Sequence, residues 1–215
     1  MNKKKIIMYA LFFGGLWGIV EATLGYLLNL STLGLSGCIM FPIGFYILRK
    51  GYKHTNEISV IYYSSIIASI IKLFNLLMPI SHPVKVINPA FAILLEGLSV
   101  AVLVSYTVKN NKKITALNAL ATSLSWRAIY LIDTFILFYI NIPSRMIQKG
   151  PKEYLLNFII INSIANALII LLIDKLEEKG LDFKIKPSFI KPVTAIFSFA
   201  LAITTQLFFT YIKMK

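Results

Sequence analysis

The sequence predicts an all-α integral membrane protein, a compact bundle of six to seven transmembrane helices forming one domain over residues 1–215. Three observations carry this reading. Hydrophobic residues make up 57% of the chain and charged residues 14%, far from the balance of a soluble globule. The apolar residues fall into runs close to the ~20 residues that a helix needs to cross a hydrocarbon core of ~30 Å. Alternating strand periodicity is absent and lipid tolerates no open sheet edge, so the runs are helices.

Seven runs follow one another: 6–28, 33–48, 58–80, 90–108, 114–140, 154–173 and 192–212. The first stands behind Met1, Asn2 and three lysines, a start like the basic region of a signal peptide. Its length and the lack of a small-x-small site make it a retained span. The second is short and carries Pro42, which predicts a tilted, broken or partly inserted helix. Between the third and fourth, the stretch from Ser81 to Pro89 holds two prolines and is too apolar for an exposed loop. It is expected to fold back as a cap over the outer side. Residues 174–191 mix acids and bases around Gly180 and Pro187 and read as a solvated loop. Cys38 is the single cysteine, so no intramolecular disulfide forms.

The net charge of +13 raises a nucleic-acid reading, but the Lys and Arg sit between apolar runs, where they act as topology signals. With the N-terminus inside, the inner segments hold Lys3, Lys4, Lys5, Arg49, Lys50, Lys53, Lys109, Lys112, Lys113, Lys175, Lys179, Lys184, Lys186 and Lys191. The outer segments hold only Lys85, Arg145, Lys149, Lys152, Lys213 and Lys215. This bias predicts a cytoplasmic N-terminus in a multi-pass protein of the cell membrane, with no nucleic-acid partner.

Five ionisable residues fall inside the runs: Glu21, Lys72, Glu96, Arg127 and Asp133. Each costs ~2.5–3.5 kcal/mol to insert and normally faces a bundle interior or a water-filled cavity. In the orientation above, Glu21, Lys72 and Asp133 come late in outward-running spans, Glu96 comes early in an inward-running one, and Arg127 is near the middle. They therefore gather at the midplane and in the outer half. Asn75, Asn157, Asn162, Asn166, Thr204, Thr205 and Gln206 repeat the asymmetry.

At about 100° per residue, Ser65, Ser69, Lys72 and Asn75 share one face, as do Ala92, Glu96 and Ser99. Arg127 and Asp133 lie on opposite sides of the fifth run, so each needs a partner from another helix: Glu21 or Glu96 for the cations, Lys72 for Asp133. The candidate solute-binding set is Glu21, Lys72, Asn75, Glu96, Arg127, Asp133, Asn162 and Asn166, capped by His82, Lys85 and Asn88. Trp126, Tyr130, Tyr62 and Tyr63 are available to stack a ring. The mixed charges suit a zwitterionic or polar aromatic molecule. Buried charges and amides also serve as glue between helices, but glue has no reason to prefer the outer half. With two histidines, His54 and His82, and one cysteine, no metal constellation emerges.

In the first run Gly14, Gly18, Ala22 and Gly25 form a small-residue stripe that lets another helix approach closely, whether inside the bundle or on a partner. No Walker A, G-x-G-x-x-G, H-E-x-x-H or G-x-S-x-G motif occurs, so the chain is read as no enzyme and as needing no cofactor.

In size, basic charge, span density, first-span stripe and outer-half polarity, the chain resembles the substrate-binding S components of energy-coupling factor (ECF) vitamin transporters. The resemblance covers most of the chain. It implies a subunit that captures a vitamin-like solute from outside and docks on a transmembrane T subunit driven by two ATPases. It also implies that Gly14, Gly18 and Ala22, standing where that family usually carries alanines, are the docking surface. A secondary transporter using Glu21, Glu96 and Asp133 as a proton relay, and an intramembrane lipid-modifying enzyme, are the competing readings. The first wants polar residues on the inner side, and the second wants a paired-carboxylate or histidine site at the inner interface. The sequence supplies neither in quantity.

Overall fold

A computed structural model describes residues 1–30, 36–79 and 82–214. Among them the chain forms α1 (Lys3–Leu30), α2 (Ser36–Thr55), α3 (Ile58–Leu73) continued by a 3-10 turn (Phe74–Leu77), and α4 (Val84–Lys109). α5 (Ala116–Tyr139), a short α6 (Arg145–Gln148), α7 (Asn162–Glu178) and α8 (Pro192–Met214) complete it. A ten-residue π-helical stretch, Lys152–Ile161, leads directly into α7.

Local chemistry sets the helix ends. Thr115 and Asn118 form a reciprocal capping box that starts α5. Asn56, Asn111 and Asn141, with φ of 54°, 47° and 67°, close α2, α4 and α5 in the left-handed conformation that asparagine tolerates. Gly180, at φ 73°, does the same after α7.

Among the described residues, six helices are long and apolar enough to cross a bilayer: Lys3–Leu28, Ile58–Leu77, Val84–Lys109, Ala116–Tyr139, Lys152–Glu178 and Pro192–Ile212. Their outward faces expose large apolar side chains such as Val102, Ile132, Leu168 and Phe197, as a lipid-facing surface requires. The chain is a multi-pass membrane protein. The second apolar run is the exception among the seven. Its apolar part, residues 36–48, covers only ~20 Å of helix, and the same helix goes on through Arg49, Lys50 and Lys53. Yet α2 is no surface helix, since Phe41, Phe45 and Leu48 are buried in the main core.

Contacts fix the helix directions. α2 runs back along α1, with Gly44 against the Trp17 indole and the His54 ring 5.7 Å from that of Phe13. α3 returns beside α1, bringing Ser64 and Ile67 to Gly14 and Ile71 to Gly18. α4 packs antiparallel on α3: Gly97 sits on Ser65, and the Ser69 hydroxyl donates to the Ala90 carbonyl at 2.9 Å. α5 comes back with the Ser125 hydroxyl 3.1 Å from that of Ser99. α8 lies parallel to α1, its Ser198 hydroxyl donating to the Phe12 carbonyl at 3.1 Å and Phe209 meeting Tyr26 with ring centroids 5.0 Å apart.

One end of the bundle therefore holds the N-terminus, the α2–α3 corner, the α4–α5 turn and the 179–191 loop. This is the end where the inner set of basic residues gathers. It is closed by ion pairs between α2 and the α7 exit: Arg49 to Asp174 at 2.6 Å and Glu177 at 3.1 Å, Lys53 to Glu177 at 2.7 Å, and Lys50 to Glu177 and Asp182. Lys113 reaches Glu178 at 2.7 Å, and the N-terminal ammonium reaches Glu57 at 2.7 Å. The expected 174–191 loop is shorter than the sequence reading, because α7 continues through Glu178 before the chain turns.

Candidate functional site

The site is built around Arg127, fully buried at the middle of α5. A guanidinium has five N–H donors and cannot shed its proton at ordinary pH, so burial obliges the fold to supply acceptors. α2 supplies the Gly37 carbonyl, which accepts from Nη2 at 2.6 Å, and α5 supplies the Ser123 carbonyl, which accepts from Nη1 at 3.2 Å. α7 supplies Asn166. With its amide oxygen turned to the guanidinium it accepts from both terminal nitrogens at 2.9 Å, while its amide nitrogen donates to the Cys38 carbonyl at 2.7 Å. One turn away, Asn162 accepts from the Cys38 thiol at 2.8 Å. The guanidinium thus ties the first turn of α2 to the middle of α5 and the second turn of α7.

Apolar rings enclose it. The Arg127 guanidinium carbon lies 4.3 Å from the Trp126 ring centroid and 5.4 Å from that of Phe158. Trp126 also packs on Phe41 at 5.6 Å and Tyr130 at 6.4 Å. Low dielectric strengthens every bond the guanidinium makes and raises the cost of losing one. Phe158 belongs to the π-helical stretch, whose i to i+5 bonding displaces side chains from ordinary helical register, a feature common at functional sites.

Glu96 on α4 is buried and lies within electrostatic reach of both Arg127 and Glu21, while the Lys72 ammonium acts on Glu21. The four charges come from α1, α3, α4 and α5 and form two alternating acid and base partners around one interior region. Among the described residues, Glu96 Oε2 accepts no hydrogen bond, and the Arg127 Nε has no partner. Trp17 stands one turn before Glu21. The donors of Arg127 are largely consumed by backbone and amide, whereas carboxylate acceptor capacity is left over.

Of the residues singled out in the sequence, Glu21, Lys72, Glu96, Arg127, Asn162 and Asn166 are brought to this region. Asn75 is buried elsewhere: its amide oxygen accepts from Thr210 of α8 at 2.9 Å, which makes it an α3–α8 contact. Asp133 is half-buried on the far side of α5 with Tyr130 as its electrostatic neighbour, and Lys72 acts on Glu21 rather than on Asp133. The expected cap is corrected as well. Residues 84–89 form the first turns of α4, so Lys85 and Asn88 stand on a helix, Lys85 exposed and Asn88 half-buried. The exposed His82 accepts the Val84 N–H at its Nδ1, 3.3 Å away, just before that helix begins. Ser81 lies outside the described residues.

The first-span stripe is also corrected. A Cβ on Gly14 would stand 2.7 Å from the Ser64 carbonyl oxygen, and one on Gly18 would stand 2.8 Å from Ile71 and 3.2 Å from Ala202. Ala22 is buried. α3 and α8 fill the stripe from within, so it offers no face to a docking subunit.

Sequence reasoning missed Gly37, Cys38, Ser123, Phe41, Phe158 and Trp17. Backbone carbonyls have no sequence signature, and rings inside apolar runs look like lipid-facing ones. The unmatched Arg127 was the available signal, since a buried guanidinium requires carbonyls or amides from its neighbours. No protein-family profile, curated protein or solved structure matches this chain, so its functional reading rests on its own residues.

Proposed function

We propose that this chain is the membrane-embedded solute-binding subunit of a multi-subunit importer, of the kind that S components represent in ECF transporters. It takes up a small vitamin-like or cofactor-precursor molecule from outside and leaves it chemically unchanged. A transmembrane subunit and two ATPases would supply the energy, and the basic end would face the cytoplasm of a cell-membrane protein.

The observation that carries this reading is the unpartnered Glu96 carboxylate oxygen beside Glu21, in a region whose cations are already engaged. Buried acceptors without donors are uncommon, and a solute bearing N–H groups supplies what is missing. An amine or an amino-substituted ring fits better than a simple anion, because Arg127 has few donors to spare. The ion pairs that join α2 to α7 close the basic end, which favours entry from the opposite end and argues for a binding subunit over a carrier that opens to both sides.

The test is a panel of amine-bearing vitamins and cofactor precursors applied to the purified protein, read by thermal stability. A solute at a hundredfold excess over its Kd stabilises by ~2.7 kcal/mol. At least one compound should raise the melting temperature of the wild type and fail to do so for Glu96→Gln, with the unliganded variant melting near the wild type. Equal protection of both proteins would remove Glu96 from the site.

A further inference from the structure

A groove of about 410 Å³ runs between the first turns of α1 and α8 at the basic end, with Ile7, Leu11, Pro192 and Ile196 on its walls and Lys4 and Lys5 at its mouth. Both helices enter the apolar part of the protein here, since their candidate spans begin at Lys3 and Pro192. The groove therefore opens sideways at the level of a membrane interface. Farther in, the helices touch, with Gly15 against Ser198, which closes the groove at its inner end.

The Lys and Arg side chains of this end are only partly paired: four are held by carboxylates, and the rest, those beside the groove among them, enter no ion pair among the described residues. Arg49, Lys50, Lys53 and Lys113 are satisfied by carboxylates. Lys4, Lys5 and Lys191, the last next to Pro192, are exposed and enter no ion pair among the described residues. An apolar trough with the Lys4 and Lys5 ammonium groups at its mouth, and Lys191 next in sequence to its wall residue Pro192, is complementary to one kind of occupant. We propose that this groove binds an anionic phospholipid, one acyl chain lying along Ile7, Leu11 and Ile196 and the phosphate held by Lys4, Lys5 and Lys191. Basic groups at a membrane surface attract anionic headgroups, and the apolar walls add a chain-binding term that a soluble anion cannot use. The site is separate from the Arg127 region and does not depend on the importer reading.

The experiment uses the full chain in neutral detergent, titrated with dioleoylphosphatidylglycerol or dioleoylphosphatidylcholine and followed by melting temperature. Phosphatidylglycerol should protect at concentrations at least about tenfold lower than phosphatidylcholine. The triple variant Lys4→Gln, Lys5→Gln, Lys191→Gln should lose that preference, whereas Lys149→Gln with Lys152→Gln, at the opposite end, should keep it. Ile196→Trp, which obstructs the trough and leaves all lysines in place, should weaken protection by phosphatidylglycerol. The proposal is overturned if the triple variant retains the preference or if Ile196→Trp is protected as well as the wild type. It is equally overturned if inorganic phosphate protects as well as the lipid.

Discussion

Arg127→Met removes the guanidinium and keeps most of its volume. The Gly37 carbonyl loses its 2.6 Å donor, the Ser123 carbonyl its 3.2 Å donor, and the Asn166 amide oxygen two donors at 2.9 Å. A hydrogen bond to a charged group contributes ~1.5–3 kcal/mol. Removing one partner from a buried charge system costs ~3–5 kcal/mol, because the other charge, here Glu96, is left uncompensated. The terms overlap, since Ser123 lies within the same helix and Glu96 can take up a proton. The expected net loss is about 4 kcal/mol, or a melting temperature lower by roughly 10 °C for a chain of this length. Thermal melts of purified protein in detergent measure it. The double variant Arg127→Met, Glu96→Gln should recover part of the loss, with a coupling of ~1–3 kcal/mol between the two sites. If Arg127→Met melts within a degree or two of the wild type, α2, α5 and α7 are not joined through this side chain and the geometry argued above is wrong.

Other consequences follow from the packing and the charges. Gly15→Leu should prevent folding, because even a Cβ there would stand 2.7 Å from the Ser198 backbone carbon on α8, and loss of folded protein on size-exclusion chromatography would report it. Gly18→Leu should act likewise, lowering stability together with solute binding; a variant that folds and binds but is not coupled to uptake would restore the docking role of the stripe. The hydrogen bond from the Lys50 ammonium holds the Asp182 carboxyl below its ordinary value, so this pair contributes stability at neutral pH that is lost as pH falls below the usual aspartate range. Asp182→Asn should therefore melt with a shallower acid dependence than the wild type, and identical pH profiles would refute the pairing. Single cysteines placed in the 179–191 loop on a Cys38-free background should resist impermeant reagents in intact cells, and labelling there would reverse the proposed orientation.

Much of the fold was legible because lipid leaves few choices. Six of the seven apolar runs form helices long and apolar enough to span, and the basic residues assigned to the inner side gather at one end of the bundle. The second run was legible as anomalous through its length and Pro42, although nothing local revealed that its helix would carry Arg49, Lys50 and Lys53 to the carboxylates of α7. The convergence of Glu21, Lys72, Glu96 and Arg127 was readable from the cost of burying charge. Their partners were not, because acceptors such as the Gly37 and Ser123 carbonyls belong to the backbone. The segment before Pro89 misled, since two prolines suggested an irregular cap. Pro83 instead precedes the first turn of α4, and Pro89 lies inside the helix, which continues through it although the Lys85 carbonyl loses its i to i−4 donor. The glycine stripe misled in another way: spacing shows that a helix can approach closely and does not say which helix does.

The central claim is that the chain binds its solute and relies on partners to move it. The direct test reconstitutes the purified protein alone into proteoliposomes with a radiolabelled hit from the solute panel, with and without an inward proton gradient. The account predicts saturable binding of at most one solute per chain, abolished by Glu96→Gln and indifferent to the gradient. Accumulation beyond that stoichiometry, collapsing when a protonophore is added, would contradict it and make the protein a self-sufficient proton-coupled carrier.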